Sequence, residues 1–380
     1  MSARSDKLLV VGFVSVLFAA SALFFLSPKL PFSETENRYL QKFPKLSWEG
    51  VFSKEVPQQL EDYVIDHFPY RDRWVWAKSA TEQLRLKQDN NGIYKGQGGY
   101  LFERYDEPDD AKLDAYTEAI KRFALAHPEA DVKFLLAPTS VGVYPELLPW
   151  KAPSGSQKET IASVGNRFHG EVSFLNGYDV LLPHKNEDIY YRTDHHWTTR
   201  GAYLAYEAYA RSMRWEPMPE SDFDIEAVSD SFLGSFHSKS QFAGSRPDAI
   251  EVYTPKRQGR LTMYVADTNE THTSLYAPDY LNKKDKYSYF MGGVHALTII
   301  KSDSSPEDKK PDKLLVLKDS YAHSFIPFLV GHVSEIHVID LRYYNGPIGS
   351  YMEQNGIKDV LMLYNAATFV QMGADMLKLK

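Results

Sequence analysis

Two stretches of the chain combine residue types that can do acyl-transfer chemistry. In LLVLKDSYAHSF (314–325) an apolar run stops on Asp319 and Ser320, and a second apolar stretch with Phe325 and Phe328 follows. A serine on a tight strand-to-helix turn presents its hydroxyl, and its own N–H is among the unpaired donors of the helix start. One residue can therefore serve as nucleophile and oxyanion donor. The same position also suits a plain helix cap, a common use of Ser and Asp. In IYYRTDHHWTTRGAYLAYEAY (189–209), Asp194, His195, His196 and Trp197 stand before a helix that starts near Thr198 or Thr199. A serine nucleophile needs an imidazole base, and that imidazole needs a carboxylate on its other nitrogen to fix its tautomer and steady its positive charge. Asp194 and His196, two positions apart, can supply this pair, with His195 as the alternative base. All three are also competent metal ligands. Adjacent histidines on one loop seldom both reach one ion, and no H-x-x-x-H spacing or further cluster completes a site, so no metal is expected.

Positioning these residues requires a sheet. Short β-rich runs recur: VKFLLAP (132–138), VSFL (172–175), KLLVLKDS (313–320), EIHVID (335–340) and DVLMLYN (359–365). Near-continuous apolar runs of this kind belong to parallel strands covered on both faces, hence an α/β sheet, and ligands of such sheets sit beyond the carboxyl ends of strands. The glycines of 92–99 with Ile93, Tyr94, Tyr100 and Leu101 predict a short hairpin, and Asp110 to His127 a helix. Residues of about 220–300 break the pattern with Gly, Ser and Tyr-rich segments and read as an antiparallel insertion ending in a strand at 297–300.

Before this domain, Arg4 and Lys7 precede an uncharged run from Leu8 to Ser27. Twenty residues at about 1.5 Å each just span a bilayer core of roughly 30 Å. Apolar residues continue where a cleavage site is expected, so the run reads as an uncleaved signal anchor, with residues 1–7 cytosolic and the rest outside the cell membrane. Residues 28–53 read as a tether, and 54–90 as a helical lead-in that opens a domain of 54–380. The 43 Lys and Arg against 50 Asp and Glu, net charge -7, give no footprint for a nucleic-acid partner. The absence of cysteine excludes disulfides and thiolate chemistry.

Taken together, the two motifs resemble the DHHW protein family, named for the tetrapeptide at 194–197, and the related alginate O-acetyltransferase group of SGNH-hydrolase-like proteins. The group's D-x-H-W-T-x-x-G segment is met by Asp194, His196, Trp197, Thr198 and Gly201, and its later Ser-Tyr pair by Ser320 and Tyr321. SETENRYLQKFP (33–44), DHFPYRDRW (66–74), GGYLFE (98–103), APTSVGVYPELLP (137–149) and LGSFHSKS (233–240) extend the similarity. The resemblance implies an SGNH-like α/β/α sandwich with permuted motif order, in which Ser320 carries the acyl group, His196 is the base and Asp194 orients it. Lys318 stands where SGNH hydrolases carry a glycine. An SGNH site completes its oxyanion hole with an Asn and a Gly, for which Asn365 and Gly234 are the candidates, Asn365 reading equally well as a helix N-cap. Arg192 and Lys239 are candidates for an anionic sugar, against mere solvation of a surface. Trp197 and Tyr321 are candidates for stacking a sugar ring, although aromatics mostly fill cores. His323 reads as a cap or a solvent-facing side chain.

The function so implied is an extracytoplasmic O-acetyltransferase or acetylesterase on an exported or cell-surface polysaccharide, at the bacterial plasma membrane. It needs no cofactor beyond an acetyl donor, which a multi-spanning membrane O-acyltransferase could supply. The alternative is a catalytically silent carbohydrate-binding or assembly component of a polysaccharide machine. Water and a sugar hydroxyl use the same Ser-His-Asp machinery, so esterase and transferase are not separated by these residues.

Overall fold

The computed structural model describes residues 3–257, 259–303 and 312–379; Met1 and Ser2 of the expected cytosolic stretch and Gln258 of the insertion lie outside the described residues. The chain forms two compact units, Met1–Lys87 with Ser238–Gly244, and Gln88–His237 with Ser245–Lys380.

The described residues of the first unit include the helices α1 (Ala3–Leu26), α2 (Trp48–Phe52), α3 (Glu55–Asp66) and α4 (Arg71–Leu84). Within α1, Lys7–Leu26 is long and apolar enough to cross a membrane, as an anchor or as a signal sequence. The stretch expected as a tether is instead folded onto α3 and α4. Asp66 is buried and accepts from Arg38 and from the Gln41 N–H at 2.8 Å, while Arg71 Nη1 lies 2.6 Å from Glu36 Oε2. A buried carboxylate must be paired; the preceding segment supplies Arg38 and the Gln41 N–H, and Arg71 Nε lies 3.6 Å from Asp66 Oδ1. The lead-in helices accordingly group with the anchor-bearing unit.

The second unit is built on eight strands: β1 (Asp131–Ala137), β2 (Ser173–Asn176), β3 (Leu261–Val265), β4 (Glu270–His272), β5 (Leu297–Ser302), β6 (Lys313–Lys318), β7 (Glu335–Ile339) and β8 (Asp359–Asn365). Their order is β4-β3-β5-β7-β6-β8-β1-β2. The five strands from β7 to β2 are parallel and the three at the other edge antiparallel. Side chains alternate between faces, so Leu314 and Val316 enter a core closed by α7 (Thr199–Ser212) and α8 (Ala322–Leu329). Leu315 and Leu317 enter the opposite core under α5 (Asp110–Ala126), α6 (Gln157–Gly165), α9 (Ile348–Asn355) and α10 (Ala366–Met372). Burial on both faces is the reason these strands read as unbroken apolar runs.

The expected insertion is only partly a module of its own. Phe223–Phe232 pairs with Asp248–Pro255 in a separate ladder. The strand expected to end the insertion, β5, instead pairs antiparallel with β7 and draws β3 and β4 into the main sheet. An uncovered β7 edge would leave a row of backbone groups unpaired, and β5 satisfies them. Strand β6 is thereby placed in the interior of the sheet, with Ser320 just beyond its carboxyl end.

Candidate active site

The DHHW segment is a tight loop. It is closed by an antiparallel bridge between Tyr190 and Trp197, and Tyr191 N–H donates to His196 O at 3.3 Å. Thr198 then caps α7 by accepting from the Gly201 N–H. Gly201 is required because a Cβ there would lie 2.5 Å from Ile189 O. The loop's base is pinned by Asp248, whose carboxylate accepts from Arg192 N–H (2.9 Å), Thr193 N–H (2.9 Å) and Thr193 Oγ1–H (2.6 Å). Burial pushes the Asp248 pKa up, and these donors work against that shift.

At the loop's tip Asp194 is buried. Its Oδ1 accepts from His196 N–H at 2.9 Å and from His196 Nδ1 at 2.6 Å, and its Oδ2 accepts from the Ser235 N–H at 2.7 Å. Burial alone would raise its pKa, but the neighbouring His195 and His196 and these hydrogen bonds hold it well below the usual carboxylate range. A carboxylate can only accept, so Nδ1 carries a proton, and the tautomer this selects is the one whose Nε2 can accept. His196 Nε2 lies 2.7 Å from Ser320 Oγ. The structure thus brings Asp194, His196 and Ser320 into one continuous chain of hydrogen bonds. His195 lies outside it: its Nδ1 meets Ser235 Oγ at 2.7 Å and its side chain is one-third exposed.

Ser320 occupies the expected turn between β6 and α8. Its N–H meets no protein acceptor among the described residues. The preceding Asp319 shapes the turn by accepting from Tyr321 N–H (2.8 Å), Asn365 N–H (2.8 Å) and Asn365 Nδ2 (2.7 Å). Burial outweighs these donors and pushes the Asp319 pKa up to about 6. Asn365 gives its remaining amide donor to Thr368 Oγ1 and accepts from Thr368 N–H, so it caps α10 and anchors Asp319. Its side chain is therefore not aimed as an oxyanion donor. Gly234 likewise donates its N–H to Thr193 Oγ1 at 3.1 Å. What makes it glycine is crowding: an added Cβ would stand 2.3 Å from Asp194 Cβ.

Other expectations are corrected by burial. Trp197 and Tyr321 are wholly buried and offer no face to a sugar. They brace the two motifs instead: Trp197 Nε1 donates to Tyr321 O (3.0 Å) and Ser324 Oγ (3.1 Å), and Tyr321 Oη donates to His195 O (2.5 Å). His323 is also buried. Burial and the adjacent Lys318 keep it neutral, and it accepts from Lys318 Nζ at 2.8 Å. Lys318, the residue in the place of a glycine, also reaches Asp340 Oδ2 at 3.1 Å, a carboxylate that it shares with Arg342. Arg192 is paired with Asp188 at 2.7 Å, and the exposed Lys239 belongs to the first unit.

Sequence reasoning missed Tyr287. Its ring stacks on His196 (centroids 3.6 Å apart, planes at 11°) and its hydroxyl donates to Ser320 O at 3.1 Å. Only the Tyr-rich character of its surroundings could have hinted at it. The ligand atoms of Asp194, His195 and His196 lie within 4.8 Å of one another, but the Asp194 oxygens and both His196 nitrogens are already spent on the hydrogen bonds above. As arranged, the donor set does not suit a metal ion.

Two outcomes follow from this geometry. Gly234→Ala should lower stability by about 1–3 kcal/mol through overpacking against Asp194; thermal unfolding indistinguishable from wild type would show that the Ser235 loop has room to spare. Asp319 carries the second outcome. From about pH 4 to about pH 6 the folded chain keeps a proton on Asp319 that the unfolded chain has released, so its contribution to stability falls as pH rises through that window. Unfolding midpoints followed upward through that range should therefore show wild type losing ground relative to Asp319→Asn. A pH-independent gap would contradict the raised value.

Comparison with known proteins agrees with this architecture. The family model described as DHHW protein matches residues 102–339. A DHHW family protein from Eubacterium siraeum is 26% identical, covers 77% of this chain and 96% of its own, and superposes with a TM-score of 0.67. Bacillus cereus PatB1 is 20% identical over 76% of this chain and 99% of its own, with a TM-score of 0.64. The structure of PatB1 with a sulfonyl adduct is 18% identical over 76% and 98%, also at 0.64. Among curated proteins none matches significantly. With the family model spanning well over half of its length, and with the tetrapeptide Asp194–Trp197 at the centre of its polar site, the chain belongs to the DHHW family.

Proposed function

We propose that this chain is a serine-dependent, SGNH-like acetyl-transferring enzyme that acts outside the cell membrane on an exported or cell-surface polysaccharide. One observation carries the reading: the unbroken chain from Ser320 Oγ through His196 to Asp194, with contacts of 2.7 and 2.6 Å. Ser320 Oγ attacks the acetyl carbonyl of a donor while His196 Nε2 takes its proton, and Asp194 steadies the imidazolium through Nδ1. The oxyanion of the tetrahedral intermediate meets the Ser320 N–H. Collapse expels the donor's leaving group, which takes the proton back from His196 and leaves an acetyl ester on Ser320. A sugar hydroxyl then gives its proton to His196 and attacks the ester; the bond to Ser320 Oγ breaks, the serine takes that proton back from His196, and the sugar departs acetylated, while with water as acceptor the outcome is hydrolysis. The reaction uses no metal. A multi-spanning membrane O-acyltransferase is a suitable source of the acetyl group, and the apolar helix α1 keeps the site at the membrane where such a donor resides.

Tyr287 supports the same reading, because a ring stacked on His196 holds the base against rotation and keeps water off one of its faces. On a chromogenic acetyl ester, Ser320→Ala and His196→Ala should each lower kcat by about 10⁴-fold or more, without adding when combined. Asp194→Asn should cost less and His195→Ala least, and a chelator should change nothing. Wild-type turnover by Ser320→Ala, or a loss to chelation restored by zinc, would overturn the assignment.

A further inference from the structure

Two helices of the first unit, α2 and α4, turn large apolar side chains outward. In α2, Trp48, Val51 and Phe52 stand at i, i+3 and i+4, the spacing of a buried apolar stripe, yet Trp48 and Phe52 are each 82% exposed and the buried residue is Gly50. In α4 the buried residue is Ser79, while Trp74 and Trp76 are 62% and 55% exposed. A water-facing surface of this composition is expected to meet something apolar.

Its occupant is fixed by where these helices are attached. The carboxyl end of the apolar helix α1 packs on α3, with Phe24 against the Tyr63 ring (centroids 6.2 Å apart) and His67 Nε2 3.2 Å from Leu30 O. Phe43 also meets the Tyr63 ring edge-on, with centroids 5.3 Å apart, and α2 lies on α3 so tightly that a Cβ on Gly50 would come 2.7 Å from Val56 Cγ2. A helix seated on the last turn of a membrane span sits at the height of the lipid headgroups. Trp is enriched at that level because its ring is apolar and its N–H is polar. Charge agrees: residues 28–87 hold ten Lys and Arg against nine Asp and Glu in a chain of net charge -7, so this segment meets no repulsion from anionic lipid.

We infer that α2, α3 and α4 form an interfacial platform that inserts Trp48, Phe52 and Trp74 into the headgroup layer of the bilayer that α1 spans. The contact is with lipid and rests on apolar insertion more than on charge. It depends on α1 being retained as a span and is independent of the acetyl-transfer reading.

The absence of cysteine makes the test direct. Single substitutions Phe18→Cys, Trp48→Cys, Phe52→Cys and Trp74→Cys in the full chain, all at exposed positions, are labelled with a nitroxide and reconstituted into phosphatidylcholine and phosphatidylglycerol vesicles. Collision rates with oxygen and with a water-soluble nickel complex then report depth. The labels at 48, 52 and 74 should be shielded from nickel several-fold relative to free label in buffer and should read shallower than the label at 18. Added salt should not release them. Nickel access equal to that of free label at two of the three sites, with 18 still in lipid, would overturn the platform while leaving the span intact. Nickel access at 18 as well would remove the span and the inference with it.

Discussion

The contact between His196 Nε2 and Ser320 Oγ joins residues 124 positions apart, and much of the second unit is arranged to keep it at 2.7 Å. Hydrogen-bond reach leaves little tolerance, so both sides must be fixed independently and then to each other. Parallel strand β6 and its turn fix the serine. The bridge between Tyr190 and Trp197, with Asp248 beneath it, fixes the histidine. Trp197 and Tyr321 then tie the two loops together by hydrogen bonds in both directions. Tyr287 adds a third tie by stacking on the base and holding the backbone of the nucleophile.

This arrangement concentrates buried charge. Asp194, Asp248, Asp319, Lys318 and Asp340 all lie inside the protein near the carboxyl ends of the strands. Desolvation opposes every one of them; hydrogen-bond donors and neighbouring positive charge outweigh it at Asp194 and Asp340, whereas burial prevails at Asp248, Asp319 and Lys318. At Asp194, Asp248 and Asp319 a hydrophobic residue of similar volume would leave backbone N–H donors without their acceptor. What polar residues add is direction: the Asp194 carboxylate sets the His196 tautomer, and the Asp319 carboxylate sets the Ser320 turn. Preorganised groups of this kind need not reorganise while charge develops on the substrate.

Much of this was legible in the sequence, for definable reasons. Strands β1, β6, β7 and β8 are covered on both faces, and double burial writes itself as unbroken apolar runs. Asp194, His196 and Ser320 stood out because their types match one chemistry; the place beyond a strand end holds for Ser320, while Asp194 and His196 stand on a loop closed by an isolated bridge. The errors came where a residue type serves several purposes. Trp197 and Tyr321 read as sugar faces because composition cannot distinguish a ring that stacks on a ligand from one that braces a loop. Asn365 can cap a helix or point at an oxyanion, and only the positions of Thr368 and Asp319 decide between them. The segment of 28–53 read as a tether because its pairing partners, Asp66 and Arg71, lie farther along the chain, where no local pattern shows them. Tyr287 was one tyrosine among 25.

The central claim is that Ser320 is a nucleophile because His196 activates it. Its most direct measurement is peptide mass after treatment with a serine-directed sulfonyl fluoride. The peptide that contains Ser320 should gain the sulfonyl mass in wild type, at a rate that falls by orders of magnitude in His196→Ala. Mass gained elsewhere, or gained at the wild-type rate without His196, would contradict it.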